Sequence, residues 1–230
     1  MIQAICFDLF NTLVSVARVP ESVGRFTADI LGIDRLIWRK ACFGPEHNIR
    51  QATDSFQTLL QLAHSIDPEI PIARVQLAVE ERQARFDYAL LNVEQNILRV
   101  LQCIHNKGIK FGLISNASSG EVQAWPDSPL AELFDAVSFS CHCGKVKPEP
   151  AIYHHTLDEL AIAPEHCLFV GDGSSDEHFG AYSVGMKPVL ITHYLHTGER
   201  PERLAKYRDV LFRVVDKIEQ LDEGLLQGQK

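Results

Sequence analysis

The sequence predicts an α/β fold, a doubly wound, Rossmann-like parallel sheet with an inserted all-helical domain. Three observations predict this fold class. Short, continuous apolar runs recur along the chain, as in strands that helices cover on both faces. From residue 92 onward, helical segments alternate with these runs, which indicates right-handed crossovers between parallel strands. Residues of about 20–88 interrupt the alternation with helical patterns and contain no strong strand.

Five apolar runs are predicted to be buried strands, and a sixth run is a further candidate. The five runs are Ile2–Leu9, Ile109–Ser115, Ala136–Cys141, Cys167–Asp172 and Pro188–Thr192, and the sixth is Val210–Val215. Between the runs, helices are predicted at Asn92–His105, Pro150–Leu160 and Ser175–Val184. Asn92 is the predicted N-cap of the first helix. Pro150 suits the first turn of the second, because the N–H that proline lacks is unpaired there anyway.

The stretch between the first two strands is predicted to be all-helical. Its candidate helices are Glu21–Leu31, Arg50–Ile66 and Ile72–Ala89. An all-helical insertion into an α/β domain is the simplest interpretation of this pattern. We therefore predict an α/β core formed by residues 1–19 and 90–230, and a helical cap formed by residues 20–89.

The composition of the chain argues against two classes of function, binding to nucleic acid and association with membranes. The chain has 230 residues and a net charge of −8, and it contains no Lys/Arg-rich run that would indicate binding to nucleic acid or to an anionic membrane. No signal peptide and no membrane span are expected, since the N-terminus lacks a basic region and no apolar run approaches the length of a span. Cys6 and Cys167 lie in apolar runs, which fits free thiols in a reducing cytoplasm. The oligomeric state stays open.

Chemically active side chains follow the predicted strands. The first strand ends at Asp8 and the second at Ser115, while the third leads to Lys147. The fourth ends at Asp172, with Asp176 four residues further on. In an open parallel sheet, ligands bind beyond the carboxyl ends of the strands, so these side chains are expected to converge at one edge.

The order and spacing of these residues resemble the haloacid-dehalogenase-like superfamily, in the subgroup that carries a helical cap. The matching motifs are FDLFNTL (Phe7–Leu13), LISNAS (Leu113–Ser118), KVKPEPAIY (Lys145–Tyr153) and VGDGSSD (Val170–Asp176). The resemblance covers residues 1–19 and about 90–220. It implies a magnesium-dependent hydrolase that acts on a small molecule.

The resemblance assigns three catalytic roles. Asp8 is the covalent nucleophile, since a carboxylate at the end of a buried strand can attack an electrophile. Ser115 donates its hydroxyl to a phosphate oxygen, and the Asn116 amide beside it contacts the substrate. Lys147 neutralises charge on the nucleophile and on the transferring group. We choose Lys147 over Lys145 because the family motif places its lysine directly before a proline.

A magnesium site is also implied. Asp172 offers a hard oxygen ligand, which suits Mg²⁺. The resemblance implies that the Asp8 carboxylate and the Phe10 carbonyl share the ion with Asp172, and that Asp176 is a further ligand or N-caps the next helix. Phe10 and Thr12 are predicted to contact the substrate as well.

Phe10 departs from the pattern of the family's phosphatases. These enzymes usually carry a second aspartate two residues after the nucleophile, which protonates the leaving group and then activates water, and phenylalanine can do neither. A donor from the cap, such as His47, would be one replacement. Haloacid dehalogenases carry an aromatic residue at this position but lack the aspartate that corresponds to Asp172.

Three functions remain open on the sequence alone. The leading one is Mg²⁺-dependent hydrolysis of a small phosphorylated metabolite through an aspartyl-phosphate on Asp8. The first alternative is hydrolytic dehalogenation of a 2-haloacid through an aspartyl ester on the same residue. The second is a catalytically weak binding protein of the same fold, which Phe10 favours.

Overall fold

The computed structural model describes residues 1–222 and contains one six-stranded parallel sheet. Its strands are β1 (Ala4–Phe7), β2 (Lys110–Ser115), β3 (Ala136–Phe139), β4 (Cys167–Gly171), β5 (Lys187–Ile191) and β6 (Arg213–Val215). Their order in the sheet is β3-β2-β1-β4-β5-β6, with every pair parallel. The predicted fold class is confirmed, and a strand overlaps each of the six predicted runs. Ser140 and Cys141, predicted to end the third strand, instead begin a short helix. The predicted core range ends at residue 230, and its last eight residues lie outside the described part.

The strand order places a topological switch beside β1. From β1 the chain adds β2 and β3 on one side, and it then returns to place β4 on the other side of β1. At such a point the connections leave the sheet in opposite directions and open a crevice at the carboxyl ends of the strands. Asp8 directly follows β1 and Asp172 directly follows β4, so both lie at this crevice.

The region between β1 and β2 is helical in the structure. Its helices are α1 (Thr27–Leu31), α2 (Arg35–Cys42), α3 (Ser55–Ile66) and α4 (Ile72–Leu91). They enclose an apolar cluster of their own, to which Leu31, Trp38, Leu62 and Val75 belong. We call α1–α4 with their connections the cap; the boundaries of 20 and 89 stay a prediction.

Helix predictions in the cap differ from the structure in three places. The helix predicted over Arg50–Ile66 begins only at Ser55, because Asp54 caps it by accepting from the Gln57 N–H. The helix predicted over Glu21–Leu31 begins only at Thr27. Backbone groups before it are used elsewhere, since the Gly24 carbonyl accepts from Arg85 and the Arg25 N–H donates to a side chain on α4. Helix α2 was not predicted; its start is marked by Asp34, whose side chain accepts from two backbone N–H groups of the first turn.

The remaining helices cover both faces of the sheet. They are α5 (Gln95–His105), α6 (Ser140–Cys143), α7 (Pro150–Leu160), α8 (Glu177–Ser183) and α9 (Glu199–Tyr207). Helix α5 packs on one face through Ile97 and Leu101, and α7 packs on the other through Ile152 and Leu157. Burial on both faces explains the continuous apolar runs of the strands. Within residues 1–222, none of the helices has the length and apolar character that a membrane crossing requires.

Two predicted boundaries in the core are corrected. Asn92 is not the N-cap of α5: it ends α4, and its side chain donates to the Tyr88 carbonyl at 2.9 Å. Glu94 occupies the N-cap position of α5 instead. Helix α8 begins at Glu177 rather than near Ser175, because Ser175 and Asp176 have left-handed backbone angles that a right-handed helix excludes.

Candidate active site

Asp8 lies at the carboxyl end of the central strand β1. Its residue surface is only 3% exposed. The Lys147 Nζ donates to its Oδ1 at 2.5 Å, and the Thr12 hydroxyl donates to its Oδ2 at 3.0 Å. The carboxylate is therefore buried and held in one orientation, and its charge is balanced by a cation. This is a suitable environment for a carboxylate nucleophile.

Lys147 joins two carboxylates. Besides Asp8, its Nζ donates to Glu177 Oε2 at 2.7 Å, and the lysine side chain is almost fully buried. Burial alone would lower the pKa of Lys147, but the charges of Asp8 and Glu177 outweigh burial and raise that pKa above its ordinary value. The lysine is therefore a permanent positive charge at the crevice. Lys145 is not part of this group.

Asp172 and Glu177 bring two further buried carboxyl groups to the crevice. Burial, with added repulsion from Asp8, raises the pKa of Asp172 to about 6. Burial also raises the pKa of Glu177 to about 8; the charge of Lys147 opposes this shift, while Asp8 and Asp172 add to it. Both shifts arise because three carboxylates share one lysine in a dry environment.

Glu177 was not among the residues predicted from the sequence, and it takes the place expected of Asp176. The Asp176 side chain is half exposed and pairs with Lys206 at 2.7 Å, away from the group, and it forms no N-cap hydrogen bond. The left-handed angles at Ser175 and Asp176 turn the loop so that Glu177 points inward. A signal for this was Gly171, since a side chain there would collide with the Glu177 carboxylate.

The predicted residues after β2 have two different roles in the geometry. Ser115 is buried, and its hydroxyl has no hydrogen-bond partner within residues 1–222, so it is free to donate to a bound anion. The Asn116 side chain instead exchanges two hydrogen bonds with the Lys147 backbone, at 3.0 Å to the carbonyl and 2.8 Å from the N–H. Asn116 therefore positions Lys147, and its predicted contact with the substrate stays a prediction.

Phe10 places an aromatic ring close to the nucleophile. Its ring packs edge-on against Phe86 of the cap, with 5.2 Å between the ring centroids. Both residues line the cavity that contains Asp8. The structure thus has an apolar contact between core and cap at the position where the family's phosphatases carry an acid. The predicted roles of Phe10 and Thr12 in substrate binding stay predictions.

Three carboxylates form a candidate site for a divalent cation. Asp8, Asp172 and Glu177 each offer an oxygen, and these oxygens lie within 4.8 Å of one another. All three residues are buried, and Lys147 is the cation that pairs with two of them, Asp8 and Glu177. A small hard cation with oxygen ligands, such as Mg²⁺, would supply further positive charge. The donor set therefore fits the ion that the sequence resemblance implies.

The cap stands over the crevice, and a cavity of about 1520 Å³ that is open to solvent lies between them. Ion pairs join cap and core around the rim: Arg82 donates to Glu121 at 2.5 Å, and Arg50 pairs with Glu149 at 2.5 Å. His47 of the cap lies 3.7 Å from the Glu121 carboxylate. Burial alone would raise the pKa of Glu121, but the neighbouring His47 and Arg82 outweigh it and lower that pKa. The cap therefore contributes much of the wall around any bound substrate.

Comparison with known proteins adds three similarities. The chain is 25% identical to a glyceraldehyde 3-phosphate phosphatase of Pyrococcus furiosus, over 97% of this chain and 93% of that protein. It is 30% identical to a glyceraldehyde 3-phosphate phosphatase of Methanothermobacter thermautotrophicus over 60% of this chain, a match that spans only 61% of that relative. The structure of L-2-haloacid dehalogenase from Xanthobacter autotrophicus, with chloropropionic acid covalently bound, superposes with a TM-score of 0.69 at 20% identity over 100% of both chains.

Family models agree with the motifs at the crevice. A model described as haloacid dehalogenase-like hydrolase matches residues 2–182, from β1 into α8, and a HAD-hydrolase-like model matches residues 144–221. The first match includes the whole cap and every residue of the group around Asp8. The chain therefore belongs to the haloacid dehalogenase-like hydrolases and is an enzyme of that family.

Proposed function

We propose that this hydrolase is a Mg²⁺-dependent phosphatase that acts on a small phosphorylated metabolite through an aspartyl-phosphate on Asp8. The observation that carries the proposal is the group of three buried carboxylates beside Lys147. Such a group suits a divalent cation, which displacement of a halide does not need. The phosphatases among the relatives support the same substrate class.

In the first step, an oxygen of the Asp8 carboxylate attacks phosphorus, and the bond to the leaving-group oxygen breaks. That oxygen keeps the bonding electron pair. The permanent charge of Lys147 stabilises the negative charge that builds up on the transferring group, and the free hydroxyl of Ser115 donates to a phosphate oxygen. Because Phe10 has no proton to give, the core does not supply an acid for the leaving group from this position.

In the second step, water attacks phosphorus and the bond to Asp8 breaks. The carboxylate regains its electron pair, inorganic phosphate forms, and the proton of the water is released to solvent. Asp8, Asp172 and Glu177 would hold Mg²⁺, and the Phe10 carbonyl and Asp176 remain ligands predicted from the sequence alone. When bound, the ion supplies positive charge for the phosphoryl oxygens.

Hydrolytic dehalogenation is the second candidate function, and Phe10 favours it. In that reaction the Asp8 carboxylate displaces a halide from a 2-haloacid, and water then cleaves the aspartyl ester. A halide leaves as an anion and needs no proton, so this reaction does not require an acid at the position of Phe10, where the ring instead contacts Phe86. Asp172 argues against it, because a second buried carboxylate facing Asp8 would repel an acidic substrate unless a cation is bound.

The test measures phosphate release from a panel of phosphorylated metabolites, including glyceraldehyde 3-phosphate, with and without Mg²⁺. Chloride release from 2-chloropropionate is measured in parallel. We expect Mg²⁺-dependent phosphate release that Asp8→Asn reduces to background and that Asp209→Asn, a change at an exposed carboxylate, leaves unchanged. Metal-independent chloride release would establish the dehalogenase instead, and wild-type turnover by folded Asp8→Asn would rule out both mechanisms.

A further inference from the structure

Helix α2 presents an unusual set of side chains to the cavity. Leu36 and Phe43 are 74% and 63% exposed, yet both belong to the wall of the cavity that contains Asp8. Lys40 lies between them on the same side of the helix, because residues three and four apart share a face. Trp38, which also borders the cavity, is buried in the apolar core of the cap and anchors the helix there. The cavity side of α2 is therefore amphipathic and held in place.

Lys40 differs from the other cations of this cavity. Nine lysines and arginines line the cavity against three carboxylates, although the chain as a whole has a net charge of −8. Its neighbour Arg39 already pairs with Glu199, and Arg50 pairs with Glu149. Within residues 1–222, Lys40 has no ion pair or hydrogen bond through its side chain. It is a free positive charge on the wall that faces the crevice.

Apolar side chains extend this wall towards the nucleophile. Phe10, Phe26, Phe43 and Phe86 all line the cavity. The transferring group must bind at Asp8, beside the buried Ser115 hydroxyl and Lys147, so the cap meets the part of the substrate that leaves. A wall of phenylalanines beside a cation that is unpaired within the described residues 1–222 suits a leaving group that is apolar and carries a negative charge of its own.

We propose that Leu36, Lys40 and Phe43 form a subsite for the leaving group, and that the preferred substrates are aryl or similarly apolar phosphates with a second anionic group. This inference rests on the proposed phosphatase function. In the subsite, Leu36 and Phe43 cover the apolar body and Lys40 pairs with its anionic group. The occupant is the substrate, because the three side chains belong to the same cavity as Asp8.

A binding experiment tests the subsite without turnover. Phenylphosphonate and 4-carboxyphenylphosphonate, which are not hydrolysed, are titrated calorimetrically into the protein with Mg²⁺. We expect the carboxylated probe to bind roughly tenfold more tightly, as one charge-assisted contact allows, and Lys40→Met to remove that difference. Equal affinity of the two probes for the wild-type protein, or a difference that persists in Lys40→Met, would overturn the proposal.

Ile37, on the same helix, provides a control for the apolar residues Leu36 and Phe43 of the subsite. Ile37 is also exposed, at 53%, but it is not part of the cavity wall. We expect the double variant Leu36→Ala/Phe43→Ala to weaken phenylphosphonate binding roughly tenfold and to leave the binding of inorganic phosphate unchanged. We expect Ile37→Ala to change neither affinity. An equal effect of the Ile37 change would refute the subsite.

Turnover separates the two proposals. If phosphatase activity is absent but the carboxylated probe still binds through Lys40, the subsite stands and the proposed reaction fails. If the enzyme hydrolyses phosphates with Mg²⁺ but treats glycerol 2-phosphate and 4-carboxyphenyl phosphate alike, the reaction stands and the subsite fails.

Discussion

The charged side chains around Asp8 are buried, whereas Leu36, Lys40 and Phe43 of α2, which line the same cavity, are exposed. In the crevice, Lys147 donates to Asp8 and Glu177, and Asp172 accepts from the Ser174 N–H at 2.9 Å. On α2, Lys40 is free, and the apolar side chains beside it face open space. Charge that is buried and fixed suits bond making and breaking, while an exposed face can change without disturbing that chemistry.

The largest effect is expected when the buried cation of the crevice, Lys147, is removed. We expect Lys147→Met to lower kcat/KM for phosphorylated substrates on the order of 10²–10³-fold, because a fixed charge that stabilises the transferring group is lost. Lys145→Met is the matched control and should leave turnover unchanged. Since Asp8 and Glu177 would be left buried without their partner, folding is checked by circular dichroism, and Lys147→Arg serves as a second variant that keeps the charge. A well-folded Lys147→Met protein with wild-type kcat/KM would contradict the role assigned to the lysine.

A cation should affect stability more strongly as pH rises. The raised pKa values of Asp172 and Glu177 mean that the metal-free protein is most stable while these groups are protonated. It loses that stability progressively as pH rises from about 4, where the unfolded carboxyl groups ionise, to the folded-state pKa values of about 6 and about 8. Mg²⁺ competes with those protons. At a hundredfold excess over its Kd it contributes about 2.7 kcal/mol, or roughly 5–10 °C in Tm. The Tm increase should therefore be larger at about pH 8 than at about pH 5.

Single substitutions of Asp172, Asp176 and Glu177 identify which of these carboxylates causes the Tm increase. Asp172→Asn and Glu177→Gln should abolish the Tm increase, while Asp176→Asn should keep most of it, since Asp176 pairs with Lys206 outside the group. Asp209→Asn is the control for an exposed carboxylate. Loss of the increase in Asp176→Asn, with retention in Glu177→Gln, would restore the ligand set predicted from the sequence.

The smallest expected effect concerns Phe10. We expect Phe10→Asp to raise kcat/KM for alkyl phosphates more than for p-nitrophenyl phosphate, because only a poor leaving group needs a proton. Fully positioned assistance is worth ~10²–10⁴-fold, and a newly introduced carboxyl is expected to supply less than ~10²-fold. The ring packs on Phe86, so unfolding by urea is measured alongside. If the folded variant gains nothing on alkyl phosphates, a donor from the cap, such as His47, is the next residue to replace.

The fold was largely predictable because its strands are buried on both faces and read as continuous apolar runs. The placement of Asp8, Ser115, Lys147 and Asp172 at one edge was predictable for a related reason. Each stands at or shortly after a strand end, and parallel strands bring their ends to one edge; the roles of these residues stay predictions. Glu177 was not predictable from spacing, because its inward direction depends on two consecutive left-handed residues in the preceding loop.

Helix boundaries were predicted wrongly where backbone groups form hydrogen bonds with distant parts of the chain. The residues before Thr27 have a helical pattern, yet Gly24 and Arg25 bond to α4 and the helix starts late. Asn92 has the chemistry of an N-cap, but the preceding helix ends on it. The amphipathic face of α2 was missed because its charged residues obscure the few apolar positions that pack inward.

Gly171 links two positions of the chain that must change together. A Cβ at this residue would lie 2.2 Å from Glu177 Oε1, a distance that no real side chain tolerates. Any larger residue at position 171 therefore displaces the Glu177 carboxylate from its bonds with Lys147 and the Gly173 N–H, unless a shorter acid stands at position 177. In a library that randomises both positions, selection for a folded protein with bound Mg²⁺ should return them as a correlated pair. The size of residue 171 thus limits the size of residue 177, and it determines which carboxylate a variant can place at the crevice.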